Sequence, residues 1–377
     1  MSHRLHVGTR KGLFTLERSG GVSAWTITGR DFLGEPVSMV FHDARDGGLY
    51  TALNHGHFGV KLHRSDDGGG NWTEISVPQY PEQTPEEKQR EEEKEGRPNS
   101  WSLSPIWSLE AGGANQPGVL WAGTIPGGLF RSDDRGESWR FVRSLWDCPE
   151  RLMWFGGGYD DPGIHSVCVD PRDADHVTVG VSCGGVWSTR DGGETWQQRA
   201  DNNGMRAEYM PPEMAHVGAV QDPHRLVNCP AAPDAFWVQH HNGIFRTTDD
   251  CQSWRELDRA QPSVFGFAAA VHPQNPDVAW FVPAVKDECR IPVAGKLVVT
   301  RTDDGGESFT ILGDGLPAMD AYDLVYRHAF EVDSTGSTLV IGSTTGSLWV
   351  SDDAGESWQT VSEHLPPINV TRFAGEK

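Results

Sequence analysis

A short turn sequence recurs six times along this chain of 377 residues and constrains its fold more than any other feature. Each copy reads Ser/Thr-x-Asp-x-Gly-x-Ser/Thr-Trp with small departures, and the copies are residues 65–72, 132–139, 189–196, 247–254, 302–309 and 351–358. Their closing aromatic residues lie 49 to 67 residues apart. This period is typical of a four-stranded propeller blade rather than of a helical solenoid.

Each copy has the chemistry of a tight hairpin turn. The glycine supplies a left-handed backbone position, and the aspartate accepts hydrogen bonds from the amides of its own turn. The fourth copy has Cys251 in place of the glycine, so we expect that turn to be distorted. Strands that alternate apolar and polar residues precede most copies, as in Gly185-Val-Trp-Ser, which is the pattern of a half-buried strand.

A seventh unit is recognisable at the N-terminus, where residues 7–15 repeat the strand pattern of residues 122–131 without the turn. This unit lacks an innermost strand, and the alternating residues 368–373 are suited to supply it. We therefore predict an all-β fold, a seven-bladed β-propeller of four-stranded antiparallel blades. The C-terminal strand would pair with the N-terminal blade and close the ring, which removes free sheet edges.

The domain organisation predicted from these repeats is simple. Residues 1–377 form a single propeller domain, because a closed ring of repeats is one cooperative body. Residues 78–100 form a charged surface insertion between the second and third blades, with a short helix over residues 85–95.

The repeated turns resemble those of the BNR/Asp-box repeat proteins, which include sialidases, xyloglucan-cleaving glycosidases, sortilin-type receptors and a photosystem assembly factor. The resemblance covers nearly the whole chain, and it is greatest to bacterial seven-unit proteins often labelled glycosyl hydrolase. It implies a sialidase-like (WD40/YVTN/BNR-like) propeller whose turns lie on the face away from the site. Because one fold carries many functions, the activity must be sought on the opposite face.

The resemblance does not extend to a sialidase active site. A sialidase combines three arginines that clamp a carboxylate with a tyrosine nucleophile, a glutamate and an acid aspartate. Its first arginine lies in an Arg-Ile-Pro stretch on an early strand, whereas Arg290-Ile-Pro292 of this chain falls in the sixth unit. We therefore expect a hydrolase of glycosidase-like type that is not a true sialidase.

Composition excludes several classes of partner. The net charge of -21, with no stripe of Lys and Arg, argues against nucleic-acid binding. No apolar stretch approaches the roughly 20 residues of a membrane helix, and no apolar leader precedes the first strand, so we expect a cytoplasmic protein that does not bind membranes. The six cysteines have no CxxC spacing, which favours reduced thiols. These features are compatible with the binding of another protein.

The connections opposite the repeated turns are rich in titratable side chains. Two long connections place His165 and His224 near the starts of the fourth and fifth innermost strands, where both should face the central channel. The predicted catalytic residues are His165, His224, Glu208, Tyr209 and Asp160. The predicted ligand-binding residues are Lys11, His55, His57, Arg206, His240, His241 and Trp154.

Three interpretations of these histidines remain open. The first is an acid/base or anion-binding pocket without metal, which would take a small polar ligand such as a glycoside or a carboxylated metabolite. The second is a divalent metal, zinc or similar, bound by His165, His224 and His240 in a metal-dependent hydrolase or lyase. In the third, the histidines only bond loop backbone, and the propeller is a non-catalytic platform for protein binding or assembly.

Overall fold

The computed structural model describes residues 2–18, 24–96 and 101–375, which form seven four-stranded antiparallel sheets around a central channel. The strands are β1 Arg4–Thr9, β2 Gly12–Glu17, β3 Thr26–Asp31, β4 Val37–His42, β5 Leu49–Asn54, β6 Val60–Ser65, β7 Thr73–Ile75, β8 Ile106–Ala111, β9 Leu120–Thr124, β10 Leu129–Ser132, β11 Arg140–Phe141, β12 Gly163–Asp170, β13 Asp173–Ser182, β14 Gly185–Thr189, β15 Gln197–Gln198, β16 Pro223–Cys229, β17 Ala232–His240, β18 Gly243–Thr247, β19 Arg255–Leu257, β20 Gly266–Val271, β21 Ala279–Pro283, β22 Val299–Thr302, β23 Thr310–Leu312, β24 Phe330–Val332, β25 Leu339–Gly342, β26 Leu348–Ser351, β27 Gln359–Ser362 and β28 Ile368–Phe373. The helices are α1 Pro85–Glu95 and α2 Arg143–Trp146.

The predicted seven-bladed propeller is confirmed. Blade 1 has the strand order β28-β1-β2-β3, and blades 2 to 7 are the consecutive quartets from β4–β7 to β24–β27. None of the helices in the described residues combines the length and apolarity that crossing a lipid bilayer requires.

The C-terminal strand closes the ring as predicted. β28 pairs antiparallel with β1, with Leu5 opposite Phe373 and Val7 opposite Thr371, and packs between the innermost strands of blades 2 and 7. Val370 of β28 is fully buried in the seam with blade 2. A Cβ on Gly8 would lie 2.6 Å from Val370 Cγ1, so only glycine allows β1 and β28 to pack this closely.

The six repeated turns join the third and fourth strands of blades 2 to 7. In the first copy the Gly69 amide donates to Ser65 Oγ (2.8 Å), and Ser65 Oγ donates to Asp67 Oδ1 (2.7 Å). The five glycines of these turns have φ between 85° and 100°, whereas Cys251 has φ 60°. The Cys251 turn keeps its aspartate contacts, because the Ser253 amide still donates to Asp249 Oδ1 (3.0 Å).

The two faces of the ring differ in what they carry. We call the face with the repeated turns the lower face, and the opposite face, where the second-to-third-strand and blade-to-blade connections lie, the upper face. Six innermost strands have a β-bulge at their upper end, and the residues at these bulges are Ser38, Trp107, His165, His224, Phe267 and Asn369. A bulge re-aims a side chain, so these positions determine what surrounds the upper end of the channel.

The charged insertion between blades 2 and 3 is anchored to the propeller. Thr84 caps α1 in a capping box with Glu87. Glu91 is buried in an ion pair with Arg151, and Glu87 pairs with Arg143 at 2.7 Å, so α1 is held against the connection between blades 3 and 4. The last residues of the predicted insertion, 97–100, lie outside the described residues.

Replacing Val370 by Asp tests the ring closure. An unpaired carboxylate in the buried seam between blades 1 and 2 should lower the free energy of unfolding by at least about 3 kcal/mol. Urea unfolding followed by circular dichroism measures this change. The exposed Thr360 on the outer strand β27 is the control, and Thr360→Asp should change stability by about 0.5 kcal/mol or less. Equal effects of both substitutions would show that the closure contributes little.

The seam between blades 4 and 5 predicts a pH dependence of stability. His176 is buried, with Nδ1 3.1 Å from Asp170 Oδ2 and Nε2 3.2 Å from Asp250 Oδ1. The Asp250 contact raises the pKa of His176 above its usual value, although burial and Arg190 oppose this. A raised pKa means that the protonated ring stabilises the fold below about pH 6.5, and that this contribution is lost as pH rises through the folded-state pKa.

We therefore expect His176→Gln to cost more stability at pH 6 than at pH 9, relative to the unsubstituted protein at the same pH. Urea unfolding at the two pH values measures the difference, and other titrating groups cancel in the comparison. A cost that is the same at both pH values would contradict the protonated state.

Candidate functional site

A cavity of about 1140 Å³ opens at the upper end of the central channel, and all seven blades contribute to its wall. Five of the bulge residues line it, namely Ser38, Trp107, His224, Phe267 and Asn369. His328, which precedes the innermost strand of blade 7, also lines it. The bulged ends of the innermost strands thus surround one pocket.

Asp222 is the centre of the most organised group in this cavity. It directly precedes β16 and is almost fully buried. Its Oδ1 accepts from Ser182 Oγ and from the Cys183 amide, both at 3.0 Å. Its Oδ2 lies 3.3 Å from His224 Nε2 and 3.3 Å from His241 Nδ1. Burial alone would raise the pKa of the Asp222 carboxyl, but the two imidazoles outweigh it and hold that pKa well below the usual range.

The two histidines beside Asp222 have different surroundings. His224 is buried, stacks on Phe267 with ring centroids 4.4 Å apart, and has Nδ1 2.7 Å from the Gly266 carbonyl oxygen. Burial lowers the pKa of His224, with Asp222 opposing. His241 faces the cavity, and although burial lowers its pKa, the contact with Asp222 raises it overall. The trio can therefore bind a cation or exchange protons with a ligand.

Arg327 extends into the same cavity from the connection before blade 7. Only 9% of it is exposed, and its guanidinium carbon lies 4.6 Å from the Trp107 ring centroid and 5.4 Å from that of Phe267. Its Nε has no hydrogen-bond partner among the described residues, and no described carboxylate lies within ion-pair distance. Burial lowers the pKa of Arg327, with Asp222 opposing, and an arginine remains charged under such conditions.

The other charges around the cavity are mostly paired. Arg290 Nη2 lies 2.5 Å from Asp287 Oδ1, and Lys286 lies 3.3 Å from Glu288. Glu208 pairs with Arg206 at 2.7 Å. Within the described part of the wall, the cations that lack a carboxylate partner are therefore Arg327 and the exposed Arg10.

Four of the residues predicted from sequence meet at the cavity wall, namely His224, His241, Glu208 and Tyr209. The Tyr209 ring packs edge-on against His241, with centroids 4.9 Å apart, and its hydroxyl donates to the Val220 carbonyl at 2.7 Å. Burial raises the pKa of Tyr209, so the hydroxyl stays protonated.

Three predicted residues lie behind the wall rather than in the cavity. His165 is fully buried, with Nδ1 2.9 Å from Ser166 Oγ and Nε2 2.6 Å from the Pro223 carbonyl. His240 is also buried, and its Nε2 accepts from the Asp222 amide at 3.0 Å. Trp154 packs against Trp187 in the core. The predicted metal set of His165, His224 and His240 is thus not brought together, whereas Asp222, His224 and His241 are.

The remaining predicted residues lie on the upper face outside the cavity wall. Asp160, Lys11 and His57 are exposed there. His55 Nε2 lies 3.0 Å from Glu35, and Arg206 pairs with Glu256 as well as Glu208. Neither His55 nor Arg206 lines the pocket.

Sequence reasoning missed Asp222 and Arg327. One signal could have drawn attention to Asp222: an Asp-Pro pair occurs near the start of two innermost strands, with Asp222-Pro223 at the start of β16 and Asp161-Pro162 just before β12. No comparable signal marks Arg327, because its importance depends on the lack of a partner in the folded ring.

Known proteins resemble this chain in fold more than in sequence. No family model matches it. The curated oligoxyloglucan-reducing end-specific xyloglucanase of Emericella nidulans is 38% identical over 79 residues, which are 21% of this chain and only 9% of that enzyme. The GH74 enzyme of Niastella koreensis superposes with a TM-score of 0.61 at 16% identity, over 95% of this chain and 53% of its own. A putative 6-phosphogluconolactonase from Bacteroides uniformis superposes over 99% of both chains, with a TM-score of 0.56 and 10% identity. These likenesses show the propeller fold, which the GH74 enzyme shares.

Replacing Arg327 by Met should raise stability rather than lower it. The substitution removes a buried charge that has no carboxylate partner among the described residues, and the methionine side chain can still fill the space between Trp107 and Phe267. Removing the buried charge relieves its desolvation cost, whereas losing its contact with the two rings is unfavourable. The net effect should be an increase of about 1 kcal/mol in the free energy of unfolding. Urea unfolding measures it, and a loss of 2 kcal/mol or more, on the order of a buried hydrogen-bond network, would show that Arg327 supports the fold.

Proposed function

We propose that this protein is a hydrolase whose cavity binds a small carboxylated substrate, with Arg327 contacting the carboxylate and Asp222, His224 and His241 forming the centre where water reacts. The observation that carries the proposal is the buried guanidinium of Arg327, which lines the cavity and has no carboxylate partner within residues 2–18, 24–96 and 101–375.

A buried cation without a counter-ion costs stability, and an anionic ligand would offset that cost. The planar guanidinium donates in a fixed fork that matches a carboxylate, so it selects this group by geometry as well as by charge. Trp107 and Phe267 hold the guanidinium in place. Binding of a ligand therefore does not have to overcome the entropy loss of ordering this side chain. The anion site at Arg327 would be a local exception in a protein whose net charge of -21 repels anions.

The cavity suits a small molecule with an apolar face. Its volume of about 1140 Å³ lies slightly above the usual range for small-ligand sites, which ends at about 1,000 Å³. Trp107, Phe155 and Phe265 expose ring surface in the wall, and a sugar ring packs well against such surfaces. A carboxylated sugar or a related carboxylated metabolite combines both features.

Hydrolysis is the reaction that the reactive centre favours. A water molecule on the cavity side of His241, whose Nδ1 contacts Asp222 Oδ2 at 3.3 Å, would be oriented by groups at fixed positions, and the bond to be cleaved would lie in the cavity in front of it. The shared fold with GH74 enzymes, and with a propeller described as a putative phosphogluconolactonase, supports a hydrolase without specifying the substrate.

Binding of D-glucuronate and D-glucose tests the substrate class, since the two differ only in the carboxylate at one carbon. Isothermal titration calorimetry should give tighter binding of D-glucuronate. Arg327→Met should weaken D-glucuronate binding by about 10-fold or more, the value of a charge-assisted hydrogen bond, and leave D-glucose binding unchanged.

Arg301→Met is the matched control. Arg301 pairs with Asp303 (3.0 Å) and Glu356 (2.7 Å) on the lower face, so its loss removes a guanidinium far from the cavity. Hydrolysis is then tested with 4-nitrophenyl glucuronides against the corresponding glucosides. Equal affinity for D-glucuronate and D-glucose in the unsubstituted protein would refute a carboxylate site at Arg327.

A further inference from the structure

We propose that His224 Nε2, His241 Nδ1 and Asp222 Oδ2 bind one divalent transition-metal ion at the wall of the cavity. The site itself is inferred from geometry alone. Only what the metal does, the activation of a hydrolytic water, rests on the proposed function.

Two of the three atom pairs have the spacing of ligands in a coordination sphere. They all lie within 4.8 Å of one another, and each histidine nitrogen is 3.3 Å from the same carboxylate oxygen. Two ligands about 2.1 Å from a tetrahedral metal are about 3.4 Å apart, so an ion fits between these atoms with little movement of the side chains.

The orientation of His224 suits a cation bound at this place. Its Nδ1 lies 2.7 Å from the Gly266 carbonyl oxygen, which can only accept, so Nδ1 carries the ring proton. In the neutral ring, Nε2 is then a bare acceptor that faces Asp222 Oδ2, another acceptor, at 3.3 Å. Two acceptors at this distance repel each other unless a second ring proton or a metal ion lies between them. An imidazole whose other nitrogen donates to a backbone carbonyl has the usual orientation of a metal ligand.

The groups behind the trio hold it in position. Ser182 Oγ and the Cys183 amide both donate to Asp222 Oδ1, which leaves Oδ2 directed at the two histidines. Phe267 stacks on one face of the His224 ring, and Tyr209 packs against His241. Supporting contacts of this kind orient the ligands of metal sites before the ion arrives.

The ligand set indicates both the class of metal and its role. Two imidazoles and one carboxylate suit Zn²⁺, Mn²⁺, Fe²⁺ or Co²⁺, rather than Ca²⁺ or Mg²⁺, which prefer oxygen ligands. Catalytic sites of this kind have three protein ligands and an open position for water. Here the open side faces the cavity, so a bound water would lie beside a substrate whose carboxylate contacts Arg327.

Metal binding is tested on the full chain, purified without chelator and with any tag removed. Elemental analysis after dialysis against Zn²⁺ or Mn²⁺ should give about one ion per chain, and Co²⁺ should produce the visible absorption of a protein-bound ion. The His241→Ala substitution should weaken binding at least about 10-fold. His364→Ala, which removes an exposed histidine outside the cavity, should leave it unchanged.

Thermal unfolding shows whether a variant that fails to bind metal is still folded. His241 is only half-buried, so His241→Ala should keep the melting temperature of the metal-free protein, while losing the metal-dependent increase that the unsubstituted protein shows. No bound ion in the unsubstituted protein, or equal binding by the His241 and His364 variants, would overturn the proposal.

Binding of D-glucuronate in the presence of EDTA separates this inference from the proposed function. If D-glucuronate still binds through Arg327 while no metal is found, the carboxylate site stands and the metal site fails. If metal binds through His241 but D-glucuronate and D-glucose bind equally, the metal site stands and the proposed substrate class fails.

Discussion

The pairing of β28 with β1 is the interaction on which the upper face depends. It gives blade 1 its fourth strand and places β28 between the innermost strands of blades 2 and 7, so that every innermost strand has a neighbour on both sides. The upper ends of these strands then converge on one axis. A bulge near that end re-aims one side chain in at least six blades, and five of these side chains line the cavity.

The two faces of the ring treat polar groups differently. On the lower face, each repeated turn satisfies its own aspartate and hydroxyl within a few residues, as in Ser65 and Asp67, so these turns stabilise the blades. At the upper face, His224 and Arg327 are buried in surroundings that disfavour their charged forms. Polar groups are therefore paired locally on the lower face, where they stabilise the blades. On the upper face some charged groups are buried at a cost in stability, which under the proposed function a ligand would offset.

The sequence predicts the fold because the information for it is local. The repeated turns have the correct spacing, and the order of strands within a blade determines which connections share a face. The site is harder to predict from the sequence than the fold is, as His165 and His224 show. Both fall at the same bulge position of neighbouring blades, but the His165 ring bonds Ser166 and the Pro223 carbonyl, 58 residues away, whereas the His224 ring meets Asp222. Such contacts between blades leave no pattern in the sequence.

Arg327 and Asp222 carry opposite charges in one cavity, and the structure explains why they do not neutralise each other. The Asp222 oxygens are already occupied by Ser182, the Cys183 amide and the two histidines. Asp287, another carboxylate in the wall, is held by Arg290. Arg327 is therefore positioned by aromatic rings instead of a counter-ion, and these rings fix its geometry without cancelling its charge. A cation held in this way is preorganised for an anion from outside the chain, and its cost in stability is present before that anion arrives.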